Sequence, residues 1–451
     1  MIRDMLSCSA VTGGELIGHN APFSHVVINS MDIMAGDLFI AIKGQRNDGH
    51  EFIADAISRG AAGVIGTKKQ KISIPYIQIK NINKGLADIA KEWRKNYSMP
   101  CIGITGSNGK TTVKEYIGQI LSQSYKNHIS KGNYNNELGL PLSVIGLRED
   151  TQCAVFEMGA SHVGDIKYLA DIAKPNIGII TNASHVHLSK FGGIDEIVKT
   201  KGELVECLPE EGIAILNKDD PNYDYWSSVK GCKNEITFSM NNKADIYPLA
   251  IKERQDKGFR LKINCQNNHL IEFDYQAISM QNIQNLLPAI AVGVALNIAS
   301  EKIINAILTM PSISQRMELK RHKSGYLIID DTYNANPVST KNALDTLANI
   351  ASGKRIFLFG GMEELGDSSM ELHSDIGKYA AKKSDIMIVV EGIAEQAFND
   401  YKGKKIKVKD NSAAVKAVEL ILDKDSTVLI KGSRKAKLEL VVSELMTGGL
   451  N

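Results

Sequence analysis

The sequence lacks several features that would assign it to a specialised class of protein. Its 451 residues include only six cysteines, and no two of them form a Cys-x-x-Cys pair, which argues against a disulfide framework or a structural zinc site and fits a reducing cytosol. The longest apolar run, at about residues 286–299, is too short to span a bilayer. The first residues also lack the apolar core of a signal peptide. These absences predict a cytoplasmic protein without membrane insertion.

The sequence also has no large excess of positive or negative charge. The formal net charge at pH 7 is +2 and no basic run stands out, so the sequence has no electrostatic footprint for nucleic acid. Hydrophobic residues make up 43% and charged residues 23% of the chain, as in an ordinary globular protein. The length is sufficient for about three domains. We therefore expect a globular protein of several domains that does not bind nucleic acid.

The stretch around which the chain is organised is Thr105–Thr112, with the sequence TGSNGKTT. It follows Cys101–Thr105, whose apolar, β-branched residues predict a buried strand, and it precedes a predicted helix that begins at Lys110. Glycines allow backbone N–H groups to approach a phosphate, the helix N-terminus favours negative charge, and a hydroxyl after the lysine can hold magnesium. Ile104 stands where the usual P-loop has its first glycine. We interpret the stretch as a nucleotide site; the alternative is a surface turn that contains Gly-Lys.

Strand and helix patterns predict an α/β protein with three domains. Residues 1–98 form a small N-terminal α/β domain, and residues 99–312 form a central, doubly wound, mostly parallel sheet that carries the P-loop. Short alternating segments over Ile236–Phe273 predict antiparallel strands within this central domain. The pattern restarts near residue 313 and predicts a C-terminal Rossmann-like α/β domain over residues 313–451. Ligands of such sheets lie beyond the carboxyl ends of the strands, so a cleft between the last two domains would suit a reaction that needs closure.

Three polar positions follow predicted strands or lie on a helix nearby. Glu157 ends an apolar strand, where its carboxylate would reach a metal at the phosphate loop; the alternative is an exposed end residue. Two histidines, His185 and His187, follow the next strand, and a histidine there would complete the coordination of a second cation. The residues alone do not choose between the two. Lys201 lies on a predicted helix, and without further information it is a solvated lysine.

A loop rich in amides, Gly132–Pro141 (GNYNNELGLP), leads into a helix. The side chains of Asn133, Asn135 and Asn136 offer donors and acceptors together, which suits sugar hydroxyls or phosphate oxygens. An asparagine that caps the helix is the alternative, and it explains one asparagine rather than three.

These stretches together resemble the Mur ligases, the ATP-dependent amide-forming enzymes of peptidoglycan synthesis, over the whole chain. The similarity includes TGSNGKTT, GNYNNELGLP, EMGASHVGDI, DDTYNANPVS, GMEELG and KGSR. Within the family, the turn Tyr333–Pro337 resembles that of the ligase that adds D-alanyl-D-alanine to UDP-N-acetylmuramoyl-tripeptide. The resemblance implies ATP and two Mg²⁺ ions as cofactors, an acyl-phosphate intermediate and a monomer. It also implies that residues 1–98 bind the UDP-sugar peptide and that residues 313–451 close over ATP and the dipeptide.

The resemblance also implies roles for individual residues. The ATP site would comprise Gly106, Ser107, Asn108, Gly109, Lys110, Thr111, Thr112, Asn282, Arg316 and Asp331. The metal ligands would be Thr111, Glu157, His187 and Lys201, the last as a carbamate, which replaces a repelling ammonium with an oxygen ligand. Catalysis would rest on Lys110, Lys201, His187 and Glu157. The substrates would contact Ser30, Gly44, Asn133, Asn135, Asn136, Asn334 and Asn336.

The chain departs from the family pattern at three places. Asn29-Ser30-Met31 stands where Asp-Ser-Arg is usual, Gln281 replaces a histidine, and Gly361 replaces an aspartate. None of these positions belongs to the expected phosphate or metal site. Two other functions stay open at this stage: a sister ligase, such as a folylpolyglutamate or tripeptide synthetase, and a nucleotide switch that catalyses no ligation.

Overall fold

The computed structural model describes residues 2–44, 47–184, 191–254, 258–266 and 269–448. Each of three successive parts of the chain builds its own mostly parallel sheet with helices against it. The predicted α/β class with three sheets is confirmed. Within the described residues, no helix is both long enough and apolar enough to cross a membrane.

The first sheet has the strand order β1-β5-β4-β3-β2 and is parallel except at the pair of β1 and β5. Its strands are β1 (Glu15–Ile17), β2 (Val26–Val27), β3 (Leu38–Ile40), β4 (Gly63–Gly66) and β5 (Tyr76–Gln78). Its helices are α1 (Met5–Thr12), α2 (Ile53–Ser58) and α3 (Ile82–Arg94). The side chain of Asn81 caps α3 by accepting a hydrogen bond from Lys84 N at 3.0 Å, because a helix N-terminus leaves backbone N–H groups unsatisfied.

The central sheet has the order β14-β13-β12-β11-β10-β9-β6-β8-β7. Its strands are β6 (Cys101–Thr105), β7 (Asn127–Ile129), β8 (Cys153–Glu157), β9 (Ile177–Ile180), β10 (Ile213–Asn217), β11 (Asn234–Phe238), β12 (Ile246–Glu253), β13 (Phe259–Cys265) and β14 (Leu270–Tyr275). Strands β6 to β12 are parallel to one another, and β12, β13 and β14 form an antiparallel meander. The prediction of antiparallel strands from Ile236 onward was therefore wrong for β11, which extends the parallel sheet. Strand β6 lies where the strand order reverses, which is the expected ligand position in such a sheet.

Helices cover both faces of the central sheet. They are α4 (Lys110–Ser122), α5 (Gly139–Ile145), α6 (Asp165–Ala173), α7 (Ile194–Glu206), α8 (Tyr223–Val229), α9 (Met280–Ala295) and α10 (Ser300–Leu308). Helices α4 and α9 share one hydrophobic core with the strands, including Ile117, Ile120, Leu286 and Ile290. This packing fixes the N-terminus of α4 relative to the sheet.

The first sheet and the central sheet share a second hydrophobic core. It joins Leu86 and Ile89 of α3 to Val144 of α5 and Leu169 of α6. Polar contacts cross the same interface: Trp93 Nε1 donates to Leu147 O at 3.2 Å, and Arg94 Nε donates to Ala173 O at 2.7 Å. The expected domain boundary near residue 98 therefore lies within one continuous core.

The third sheet has the order β15-β16-β20-β17-β18-β19 and is parallel except at the pair of β15 and β16. Its strands are β15 (Glu318–Arg321), β16 (Leu327–Asp331), β17 (Arg355–Phe359), β18 (Ile386–Val390), β19 (Lys404–Val408) and β20 (Thr427–Lys431). Its helices are α11 (Pro337–Ile350), α12 (Ser369–Ala380), α13 (Glu395–Asp400), α14 (Asn411–Glu419) and α15 (Glu439–Thr447). The buried residues of its two cores all come from residues 326–445, one core on each face of the sheet.

Candidate active site

The phosphate loop between β6 and α4 requires glycine at two positions. Gly106 has φ +148°, and a Cβ there would lie 1.9 Å from Thr181 Oγ1. Gly109 has φ +85°, and a Cβ there would lie 2.5 Å from Asn285 Oδ1. Any other residue would be strained and would clash, so the two glycines set the path of the loop.

The end of strand β9 holds this loop in place. Ser107 N donates to Asn182 O at 2.9 Å, and Asn108 N donates to Asn182 Oδ1 at 3.0 Å. The first hydrogen bond of α4 runs from Val113 N to Gly109 O at 2.8 Å. The backbone N–H groups of residues 110–112 therefore precede the helical ladder, as at any helix N-terminus, where they can bind an anion.

The ammonium of Lys110 folds over the loop. Its Nζ donates to Gly106 O at 2.6 Å and lies 3.4 Å from Ser107 O. Burial lowers the pKa of Lys110, while the charge of Glu157 acts in the opposite direction. The cation is thus positioned above the loop where a phosphate would enter.

Glu157 faces the start of α4 rather than solvent. It is only 2% exposed, so the alternative of an exposed end residue was wrong. Thr111 Oγ1 donates to Glu157 Oε2 at 2.9 Å, and Asn135 Nδ2 donates to Oε1 at 2.8 Å. A hydroxyl and a carboxylate oxygen side by side are the hard donors that Mg²⁺ prefers, so these residues fit the expected ion. Among the residues that the structure describes, no group of three or more His, Cys, Asp or Glu side chains could hold a metal by itself.

Lys201 on α7 also lies inside the site. Its residue is 3% exposed, which contradicts the simple interpretation of a solvated lysine. In the described part of the chain, its ammonium has no hydrogen-bond or ion-pair partner. Burial, and after it the charge of Lys110, lower the pKa of Lys201 to about 7. An amine with this pKa is largely neutral at physiological pH and can act as a nucleophile. His187, the expected ligand of a second cation, and the neighbouring His185 lie outside the described residues.

The third sheet supplies the opposite wall. The guanidinium of Arg316 stacks on the ring of Tyr333, with its central carbon 3.8 Å from the ring centroid. Its Nη2 donates to Thr111 Oγ1 at 3.1 Å, whereas its buried Nε has no hydrogen-bond partner among the residues that the structure describes. A buried unpaired donor is costly. Arg316 also lines the cavity, so its guanidinium places a positive charge beside it.

Two amide pairs join the same wall to the central part of the chain. Asn336 Nδ2 donates to Asn108 Oδ1 at 2.5 Å, while the Asn336 side chain also caps α11 by accepting from Ser339 N at 2.9 Å. Asn342 Nδ2 donates to Gln281 Oε1 at 2.9 Å. Gln281 is one of the departures from the family pattern, and here it makes a direct contact between the two walls.

A buried ion pair anchors the turn after β16. Lys431 Nζ donates to Asp331 Oδ2 at 2.5 Å and to Asn334 O at 2.9 Å. Asp331 Oδ1 in turn accepts from Met317 N at 3.1 Å. The Asp331 carboxylate thus has partners on both oxygens and holds the segments of Asn334 and Met317 beside the cavity.

The other predicted amides also make local contacts. Asn136 Oδ1 accepts from Gly139 N, the first residue of α5, at 2.9 Å, so this asparagine is bonded to the start of a helix. Asn282 accepts a hydrogen bond from Ser279 Oγ at 2.9 Å and donates from Nδ2 to Tyr116 OH at 3.3 Å. Their side chains are oriented within the protein before any ligand arrives.

The predicted residues come together around one cavity of about 830 Å³. Its lining includes Gly106, Ser107, Asn108, Gly109, Lys110, Thr111, Thr112, Asn133, Asn135, Asn136, Glu157, Lys201, Asn282, Arg316, Asp331, Asn334 and Asn336. Ser30 and Gly44 do not line it. Ser30 is buried in a short 3-10 helix, Ser30–Asp32, where its hydrogen bond lowers the pKa of the Asp55 carboxyl, and Gly44 N donates to Asn47 O at 2.9 Å.

Sequence reasoning gave no role to two buried lysines of this region. Lys431 lies in the KGSR stretch, and its place at the end of an apolar strand was the available signal. Lys114 lies one turn after Lys110 on α4 and exposes none of its side chain. A lysine at a buried helix position follows no hydrophobic pattern, so only the structure identifies it.

Comparison with known proteins gives a consistent result. Three family models match: "Mur ligase family, catalytic domain" over residues 22–98, "Mur ligase middle domain" over residues 104–293, and "Mur ligase, glutamate ligase domain" over residues 315–434. The UDP-N-acetylmuramoyl-tripeptide–D-alanyl-D-alanine ligase of Buchnera aphidicola subsp. Acyrthosiphon pisum is 32% identical, over 97% of this chain and 96% of the relative.

Solved structures agree along the whole chain. A crystal structure of MurF from Acinetobacter baumannii superposes with a TM-score of 0.88 at 27% identity, over 98% of both chains. MurF of Thermotoga maritima in complex with ADP has a TM-score of 0.83 at 29% identity, over 94% of this chain and 97% of that one. The chain described here belongs to the Mur ligase family.

Proposed function

We propose that this chain is an ATP-dependent ligase that joins D-alanyl-D-alanine to UDP-N-acetylmuramoyl-tripeptide in the cytoplasmic synthesis of peptidoglycan precursors. One observation carries the proposal: the phosphate loop, Glu157, Lys201 and Arg316 face a single cavity formed by two parts of the chain. The names of the curated relatives specify the substrates, and the ADP complex of the T. maritima relative supports the nucleotide.

The nucleotide would bind at the N-terminus of α4. The phosphates would contact the loop from Gly106 to Thr112, with Lys110 supplying the cation. Arg316 lines the cavity, and its guanidinium would bind the nucleotide from the side of the third sheet. Asn282 and Asp331 would complete the ATP site.

Magnesium fits beside Thr111 and Glu157, whose oxygens adjoin each other. Lys201 would contribute two further oxygens after carbamylation, and His187 would serve a second ion. Bound there, Mg²⁺ would neutralise charge on the phosphoryl group during its transfer.

During the reaction, side chains of this site would stabilise negative charge and exclude water. In the first step the terminal carboxylate of the tripeptide attacks the γ-phosphorus of ATP, an acyl phosphate forms and ADP leaves; Lys110 and Arg316 would stabilise the negative charge. In the second step the amine of D-alanyl-D-alanine attacks the acyl carbon. The C–N bond forms, the C–O bond to phosphate breaks, and the departing phosphate takes up the proton that the amine loses. The contacts of Asn336 and Asn342 would keep the cavity closed to water meanwhile.

We also propose a division of labour along the chain. Residues 1–98, with Ser30 and Gly44, would bind the UDP-sugar end of the substrate, and Asn133, Asn135 and Asn136 would contact the remainder. Residues 99–312 would hold ATP. Residues 313–451 would close over ATP and the dipeptide, with Asn334 and Asn336 near the substrates, in a protein that acts as a monomer.

The decisive experiment measures phosphate release from ATP with UDP-N-acetylmuramoyl-tripeptide, with and without D-alanyl-D-alanine. The tripeptide is supplied with diaminopimelate or lysine as its third residue. Release that requires both substrates, with a pentapeptide product identified by mass, would establish the ligase. ATP binding without release for any pair would leave a nucleotide-binding protein of the same fold.

The variant Lys110→Ala tests the assignment of the phosphate loop. Loss of the cation should lower kcat by about 100-fold or more, because a preorganised charge at the transferred group is lost. Circular dichroism should show the wild-type fold, since among the described residues Lys110 donates hydrogen bonds only to carbonyls of its own loop. Normal turnover in this variant would refute the assignment.

A further inference from the structure

Lys114 is a buried cation at the edge of the active site. It lies on α4 and exposes none of its side chain. Its Nζ donates to Ser130 O at 2.7 Å and to Gly132 O at 3.0 Å, and it pairs with Glu115 Oε1 at 3.1 Å. Burying a cation is costly unless partners compensate it, and these three acceptors do so.

The two carbonyls belong to residues 130–136, which we call the amide loop. Among the described residues, only Lys114 donates a hydrogen bond to either carbonyl. The opposite side of the amide loop is joined to β8 and the residues after it: Ser130 N donates to Val155 O at 2.9 Å, and Gly159 N donates to Asn135 O at 2.8 Å. The amide loop is thus held between β8 and the helix that begins at the phosphate loop.

This arrangement connects two parts of the cavity. Asn133, Asn135 and Asn136 line the cavity from the amide loop, and Lys110 lines it from the first turn of α4. Lys114, which lies on α4, donates hydrogen bonds directly to the amide loop and so connects the two. Without its ammonium, the carbonyls of Ser130 and Gly132 would lose their donor, and the loop would shift to satisfy them elsewhere.

We propose that Lys114 is a positioning residue that fixes the amide loop relative to the phosphate loop, so that the UDP-muramoyl peptide and ATP bind in register. The inference rests on the proposed ligase function and adds a residue to it. Lys114 acts through the loop rather than on the reacting atoms.

A role as counter-ion of Glu157 is the weaker interpretation. Lys114 Nζ lies 4.0 Å from Glu157 Oε2, farther than from either carbonyl. Both carboxylate oxygens already accept hydrogen bonds, from Thr111 and Asn135. The two interpretations predict different effects on magnesium. If Lys114 were mainly the counter-ion of Glu157, removal of its positive charge would lower the half-saturating Mg²⁺ concentration, whereas the positioning role leaves that concentration unchanged.

The variant Lys114→Met tests the proposal, since methionine keeps an unbranched stem and removes the ammonium. KM for UDP-N-acetylmuramoyl-tripeptide should rise about tenfold or more, as expected for the loss of hydrogen bonds to a charged group. KM for ATP and the half-saturating Mg²⁺ concentration should stay within about twofold, which is below the effect of one lost hydrogen bond. An equal rise in both KM values, an unchanged KM for the tripeptide, or a half-saturating Mg²⁺ concentration changed by more than about twofold in either direction would overturn the proposal.

Lys230→Met is the matched control. Lys230 is a partly buried cation that also donates to a backbone carbonyl, that of Ser227 at 3.0 Å, and it pairs with Glu235 at 3.0 Å, but it does not line the cavity. Both variants should melt at lower temperature than the wild type, and only Lys114→Met should change KM. A second variant, Lys114→Gln, keeps an amide donor and should give an intermediate KM; it carries the test if Lys114→Met does not fold.

Calorimetric binding separates the two proposals. If the wild type binds UDP-N-acetylmuramoyl-tripeptide but forms no product, the ligase function fails, while weaker tripeptide binding by Lys114→Met with unchanged ADP binding would still support the positioning role. If the wild type binds ADP but not the tripeptide, both proposals fail, because there is no substrate to position.

Discussion

The guanidinium of Arg316 donates from Nη2 to the Thr111 hydroxyl across 3.1 Å. Thr111 belongs to the phosphate loop, whereas Arg316 immediately precedes the third sheet, 205 residues later in the chain. The same hydroxyl donates to Glu157 Oε2. One side chain of the phosphate loop therefore contacts both the expected metal carboxylate and the wall that closes the site.

Replacing Arg316 should lower the rate of the chemical step. In Arg316→Met the donor to Thr111, the unpaired Nε and the charge are all lost, and kcat should fall about 100-fold, as for other preorganised groups at a developing charge. Arg316→Lys should recover little, because an ammonium lacks the planar fork that stacks on Tyr333. Steady-state kinetics at varied ATP concentration would measure kcat for both variants.

Arg321→Met is the control for these variants. Arg321 lies in β15 of the same sheet and donates to Gly325 O at 3.0 Å on the surface. Its loss should leave kcat within about twofold, as is usual for a surface substitution. If Arg316→Met behaved in the same way, Arg316 would have no part in the reaction.

The pKa of Lys201 predicts a modification with a defined pH dependence. Carbon dioxide reacts with the neutral amine, and burial brings the pKa of Lys201 from its ordinary value of 10.5 to about 7. The neutral form therefore predominates above pH 7 and diminishes below it. In ¹³C-bicarbonate, NMR should show a carbamate signal at pH 8 that decreases as the pH falls through about 7.

Two variants make this assignment specific. Lys201→Met should abolish the carbamate signal and most of the ligase activity. Lys199→Met should change neither, because Lys199 is exposed on the same helix. A carbamate signal that persists in Lys201→Met would place the modification on another amine.

Much of the fold could be predicted from the sequence, and the misses have a common cause. Strand β6 was predicted with its observed bounds, and the apolar strand predicted to end at Glu157 is β8, because both faces of a central parallel strand are buried and its residues are continuously apolar. The strands that were missed all lie at sheet edges: β1, β2, β7, β15 and β19. Strand β19, with the sequence KKIKV, carries charged residues of the kind that protect an edge from further pairing, and these residues hide the strand pattern.

The candidate site likewise has some features that the sequence predicts and others that it does not. The phosphate loop was predictable because its glycines and lysine are adjacent in sequence. The environment of Lys201 was not, because its low pKa arises from burial and from Lys110, which is distant in the chain. The role expected for Lys201 therefore rested on the resemblance to the Mur ligases. The contact of Gln281 with Asn342 was also unpredictable, since it joins separate parts of the chain.

The Gln281–Asn342 pair should contribute modestly to closure. Asn342→Ala and Gln281→Ala should each raise KM for ATP about two- to tenfold, the effect expected from one hydrogen bond. The double variant should be little worse than either single variant, because both remove the same interaction. Fully additive effects would show that the pair does not act as a unit.

The shared core of the first and central sheets predicts that residues 1–98 do not fold alone. In the fragment, the apolar face of α3, including Leu86 and Ile89, would lose its partners on α5 and α6. Trp93 would also lose its bond to Leu147 O. We expect no cooperative thermal transition, and fluorescence of Trp93, the one tryptophan in this fragment, at a wavelength typical of solvent exposure.

Residues 313–451 should behave in the opposite way. The buried residues of their two cores come entirely from within the fragment, and its contacts with the central part of the chain include polar pairs such as Asn336 with Asn108. Because apolar burial dominates the stability of a domain, loss of these polar contacts should cost little. The fragment should unfold cooperatively in circular dichroism, independently of the rest of the chain. Cooperative unfolding of residues 1–98 together with failure of residues 313–451 to fold would contradict this account of which parts of the chain stabilise one another.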